Sequence, residues 1–125
     1  MRLSEIARPS VFYHVTLTEN VKSILQHGLI PQTGRNSEQI GDYGIFLFDS
    51  EQSMEDALGS WLGEEYEDMA DELGVDIADI DCTALKISLP SEFPITPAFE
   101  DQDTSTEWVS TEPIPPLYIS VFKEV

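Results

Sequence analysis

Basic residues are scarce in this chain: 6 lysines and arginines stand against 24 aspartates and glutamates in 125 residues, a formal net charge of −18. A molecule this negative repels nucleic acid and anionic membrane surfaces, so direct nucleic-acid binding is disfavoured. Cysteine is nearly absent. With Cys82 alone, no intrachain disulfide and no cysteine-based zinc site can form, which fits a reducing compartment. No stretch approaches the ~18 apolar residues that would span a bilayer, and residues 1–5 lack the apolar run of a secretory signal. A cytoplasmic protein with no membrane partner is therefore expected. No metal site is expected either, because Asp76, Asp79 and Asp81 lack the glycine and the spacing of an EF-hand loop.

What is present suffices for one packed domain over residues 1–125, since 41% of the residues are hydrophobic. The charge is unevenly placed. Residues 1–48 hold four acids and the four bases Arg2, Arg8, Lys22 and Arg35, whereas residues 49–125 hold 20 acids against Lys86 and Lys123. An anionic ligand is thus best tolerated near the N-terminal segment, where Arg8 and Arg35 either reach a pyrophosphate or are solvated loop residues. Between Glu64 and Asp81 there are nine acids and no base, but Leu62, Tyr66, Met69 and Leu73 recur at helical spacing. This predicts an amphipathic helix with one face on the core. Its carboxylates are either a solvated face of a salt-adapted protein or a row that imitates nucleic-acid phosphates towards a basic partner.

Phe12-Tyr13-His14-Val15 predicts a strand with a histidine in its middle. Thr16 and Glu19 then have the spacing of a capping box, which predicts a helix start at Thr16. Val21, Ile24 and Leu25 form that helix's stripe and Gly28 ends it, with His27 in the last turn. Residues 32–43 read as a polar loop, and Gly44-Ile45-Phe46-Leu47-Phe48 as a buried strand. Met54, Ala57, Leu58 and Trp61 follow at i, i+3, i+4 and i+7, which predicts a helix over 52–61 with Trp61 on its core face. Further strands are expected at 83–89, near Glu107-Trp108-Val109 and at 117–122, with residues 100–106 a loop and Pro113, Pro115 and Pro116 a stiff connector. Early helices and late strands indicate an α+β domain with a largely antiparallel sheet.

Tyr13-His14-Val15-Thr16 resembles the Tyr-His-Gly-Thr motif of the ADP-ribosyltransferase superfamily, as found in diphtheria toxin and the poly(ADP-ribose) polymerases. A helix, a Gly-Leu turn, a glycine-containing loop and the aromatic strand 44–48 follow in the family's order. Thr106-Glu107-Trp108-Val109 through Ile114-Pro115-Pro116 is similar to the end of DarT-type DNA ADP-ribosyltransferases. The resemblance implies a compact α+β domain with a largely antiparallel split sheet and a few short helices. It also implies NAD as substrate and transfer of ADP-ribose to a protein or nucleic-acid acceptor. Glu107 is then the catalytic glutamate, His14 holds the ribose, and Phe48 (or Phe46) and Trp61 stack on the nicotinamide; Thr16 of the same motif and Arg35, placed by the charge distribution, are further expected cofactor contacts. Val15 stands where the family has glycine, and the family's paired tyrosines become aromatic rings without hydroxyls. The alternative on the same scaffold is a non-catalytic acidic binding or inhibitor protein that occupies a basic partner.

Overall fold

A computed structural model gives the fold and describes residues 9–33, 43–97 and 107–125. Arg8, Arg35 and most of the two loops at 32–43 and 100–106 lie outside the described residues.

Among the described residues the architecture is α+β, with an open antiparallel sheet and three α-helices. The strands are β1 (Val11–Leu17), β2 (Gln32–Thr33), β3 (Tyr43–Phe48), β4 (Cys82–Ser88), β5 (Thr96–Pro97), β6 (Glu107–Ser110) and β7 (Ile119–Glu124). Six of them run in the spatial order β5-β6-β3-β1-β4-β7, and β2 pairs with the first residues of β3. The helices are α1 (Val21–His27), α2 (Glu51–Leu58) and α3 (Trp61–Leu73). Among the described residues no helix is long and apolar enough to cross a membrane.

Side chains alternate across each strand, so the sheet buries both faces. On one face Phe12, Leu47, Leu85, Ile87 and Trp108 pack with Ile24 of α1 and Ile114 of the proline-rich connector. On the other, Val15, Phe48, Cys82 and Ala84 pack against Met54 and Ala57 of α2, with Leu62 and Tyr66 of α3 beside them. Each fully buried large side chain, such as Phe12, Leu47 or Leu85, contributes about 1.5–3 kcal/mol. Because β4 has neighbours on both edges and cover on both faces, Cys82 through Leu85 is a continuous buried run.

Pairing along the sheet is uneven. β1 and β4 share seven register pairs, from Val11↔Ser88 to Leu17↔Cys82. β3 and β6 share four, from Ile45↔Ser110 to Phe48↔Glu107. β1 and β3 share one, Tyr13↔Phe48. Two well-laddered parts of the sheet thus join at a seam between β1 and β3.

Three local expectations are corrected. The Thr16 capping box does not form, because Thr16 and Leu17 stay in β1, opposite Thr83 and Cys82, and only then does a 3-10 turn (Thr18–Asn20) lead into α1. The helix expected over 52–61 ends at Leu58; Gly59 and Ser60 break it, and Trp61 opens α3 instead of closing α2. Leu73 belongs to no buried face, being 65% exposed. Gly28 does end α1, at φ 86° and ψ −179°, a backbone region essentially reserved for glycine. There the chain meets the connector, with Leu29 N–H donating to Ile114 O at 3.0 Å and Ile114 N–H to Leu29 O at 2.9 Å.

Candidate functional site

The chain passes from β3 into α2 through Asp49 and Ser50. Ser50 caps α2, its hydroxyl oxygen accepting the Ser53 N–H at 3.0 Å. The Ser50 hydroxyl donates to Ser53 Oγ at 3.0 Å, and the Ser53 hydroxyl donates to Asp49 Oδ1 at 2.8 Å. At the other end of α2, the Ser60 hydroxyl donates to the Asp56 carbonyl at 2.8 Å, fixing the corner from which Trp61 starts α3. Beside this frame lies an open cleft of about 150 Å³, lined by Phe48, Ser53, Asp56, Ala57, Ser60, Trp61 and Glu107. An apolar cavity of ~150 Å³ in an engineered protein holds benzene, so this space suits one ring and not a dinucleotide.

Phe48 and Glu107 are register partners on adjacent strands and so project to the same face of the sheet. Phe48 is buried, but Trp61 is 43% exposed, which removes it from the core face its spacing suggested. The two rings lie 6.1 Å apart between centroids at 41°. A ring sandwiched between parallel partners needs roughly 7 Å, twice a ~3.5 Å contact. A bound ring therefore either spreads the pair by about 1 Å or stacks on the open face of the indole. Glu107 is half-buried, and desolvation pushes its carboxyl above the usual range.

His14 lies one strand away, at the seam. Its Nδ1 is 2.8 Å from the Phe46 carbonyl oxygen. Extending the Tyr13↔Phe48 pairing would place Val15 opposite Phe46; the ladder stops short of that pair, and the imidazole takes the carbonyl instead. Burial lowers the pKa of His14 more than this bond raises it. The ring is accordingly neutral near pH 7, and because a carbonyl can only accept, Nδ1 carries the proton. Nε2 is left as an acceptor, suited to a hydroxyl group and unable to donate.

The fold thus gathers Phe48, Trp61 and Glu107 around one cleft. His14 and Thr16 do not line it: both leave β1 on the Phe12 face, and His14 reaches back only as far as the seam. Ser53, Asp56 and Ser60 are lining residues that sequence inspection missed. Their signal was there, since Ser53, Asp56, Ala57 and Ser60 fall at i, i+3, i+4 and i+7 directly after the aromatic strand, a stripe of small and polar side chains. No protein-family model matches the chain and no curated protein matches it, which leaves the cleft and the seam themselves to indicate a function.

Proposed function

We propose that this protein is an ADP-ribosyltransferase-like domain that transfers ADP-ribose from NAD to a macromolecular acceptor. One observation carries this. The three segments bearing the resemblance, separated by long stretches of sequence, occupy consecutive strands β6, β3 and β1, with Glu107 directly opposite Phe48 and Trp61 over them. The single-pair seam between β1 and β3 also supports a split sheet of the kind the resemblance implies.

The residues have matching chemistry. Heterolysis of the bond between nicotinamide and ribose sends the bonding pair to the ring nitrogen and leaves positive charge on the ribose. A positioned carboxylate stabilises such an oxocarbenium-like state, as in glycosidases, and this is the role of Glu107. Phe48 and Trp61 supply the stacking surface for the ring. His14, neutral with Nε2 as acceptor, is suited to a ribose hydroxyl, but it and Thr16 leave β1 on the face opposite Phe48 and Glu107, so the ribose has to reach them across the β1–β3 seam. Arg35 remains the proposed contact for the pyrophosphate. The acceptor is a protein or nucleic acid, and the net charge of −18 favours a basic protein.

Thermal unfolding with added NAD tests the proposal. A ligand at 100 times its Kd that binds only the folded state adds about 2.7 kcal/mol, which raises Tm by roughly 10 °C for a chain of this size. No shift at millimolar NAD would refute it. A second reading draws on α3, where Glu64, Glu67, Asp68, Asp71 and Glu72 are exposed. An acidic binding protein using this face would show no response to NAD and a salt-sensitive association with a basic protein.

A further inference from the structure

We propose that Leu73, Val75 and Ile77, at the C-terminal end of α3, form a docking surface for a basic amphipathic segment of a protein partner. The inference rests on the acidic-face reading of α3 above, to which it adds an apolar centre and the chemistry of the partner; it needs no bound NAD.

Among the described residues nine large apolar side chains are exposed, and three of them fall within residues 73–77: Leu73 at 65%, Val75 at 42% and Ile77 at 47%. Every residue from 71 to 79 is exposed. Single exposed apolar residues are ordinary on a surface, whereas a cluster rimmed by charge has the composition of an interface. The backbone holds the three together. Gly74 leaves α3 in the left-handed region at φ 71°, Val75 N–H donates to the Ala70 carbonyl at 3.0 Å, and a 3-10 turn (Ile77–Asp79) then packs back against the helix. Ile80 follows, packed on the core that holds Phe48 and Met54, just before β4 begins, so the tip is fastened at both ends. A surface already held in shape loses little conformational freedom on binding.

Charge selects the occupant. Asp71, Asp76 and Asp79 are exposed in the same stretch, and residues 64–81 hold nine acids and no base. The six lysines and arginines of the whole chain could not cancel nine acids, and Lys123 is engaged with Glu51 of α2, so the sign of this end does not depend on where the other bases lie. The last turn of α3 has no basic residue, although its carbonyls put partial negative charge there. Acids in that turn cost helix stability, and an approaching cation relieves the cost. A partner matched to this end presents lysine or arginine beside an apolar stripe.

The experiment measures, by fluorescence anisotropy, the binding of two labelled synthetic helical peptides of equal positive charge. One is built of lysine and leucine with the leucines on one face; the other has glutamine in place of leucine. At physiological salt the leucine peptide should bind about tenfold or more tighter. Leu73→Gln combined with Ile77→Gln should bring the two peptides within about twofold, while Leu117→Gln, which removes an exposed leucine outside α3, should leave the ratio as in wild type. These substitutions replace exposed side chains, and circular dichroism should show every variant folded. Equal binding of the two peptides by the wild type, a preference that survives the double substitution, or its loss in Leu117→Gln would overturn the apolar centre and leave the acidic face standing. Binding of neither peptide would refute both. A wild-type dimer in sedimentation that the double substitution dissolves would assign the surface to a second copy of the chain and overturn the proposal.

Discussion

Gly28→Ala puts the junction between α1 and the proline-rich connector to a quantitative test. Gly28 sits at φ 86° and ψ −179°, where a residue with a Cβ costs about 1–3 kcal/mol. A Cβ there would lie 2.3 Å from Ile114 O and 3.2 Å from Pro116 Cδ, so the connector has to move. Moving it stretches the two reciprocal bonds between Leu29 and Ile114, each worth about 0.5–1.5 kcal/mol. Together these come to roughly 4 kcal/mol, a large share of the ~5–15 kcal/mol that holds a domain folded, and lower Tm by about 15 °C. The control is Gly74→Ala. Gly74 has φ 71° but nothing within 4 Å of the added Cβ, so only the left-handed backbone cost of about 1–2 kcal/mol applies. Urea unfolding followed by circular dichroism measures both. A Gly28→Ala loss no larger than that of Gly74→Ala would refute the close approach.

Other consequences concern charge. Burial raises the pKa of Glu107, so the native state binds that proton more tightly than the unfolded chain does, and ionising the group costs stability as pH rises through the native pKa. Glu107→Gln should therefore melt above wild type at pH 7, and the gap should close as pH falls to about 4.5; a gap independent of pH would contradict this. His14 has the opposite sign. With its native pKa lowered, its contribution is present above about 6.5 and is lost as pH falls below that, so the wild type should lose stability on acidification to pH 5.5 relative to His14→Gln. At pH 7.5 His14→Ala, which takes the imidazole from the Phe46 carbonyl, should cost about 1–3 kcal/mol by urea denaturation. The 20 acids in residues 49–125 repel one another, so Tm should climb as NaCl rises towards molar, and a flat or falling curve would contradict the self-repulsion.

The strands were legible in the sequence where a short apolar or aromatic run marks them. Phe12 to Val15, the 44–48 run and the 107–109 run all lie in strands, and Gly28 ends its helix as its position announced. The Thr16 box failed because a local cap competes with pairing to Thr83 and Cys82, and strand pairing won. Trp61 misled because helical spacing is blind to a break: the i+7 position continues across Gly59 and Ser60 into a second helix with its own direction. β5 is two residues at the sheet edge, where Pro97 is tolerated, and no periodicity can show it. The order β6-β3-β1 is a matter of long-range pairing, so Glu107 and Phe48 could be associated beforehand only by resemblance. Ser53, Asp56 and Ser60 went unnoticed because a polar helical stripe ordinarily faces water.

Release of nicotinamide from NAD, measured for wild type and Glu107→Gln with a basic protein acceptor and without one, bears most directly on the central claim. Both proteins should bind NAD and show the thermal shift. The wild type should release nicotinamide, and the variant should do so about 100-fold more slowly or less, as expected on losing a group that stabilises charge in the transition state. Equal release by the two proteins, or none from the wild type under either condition, would contradict the role given to Glu107.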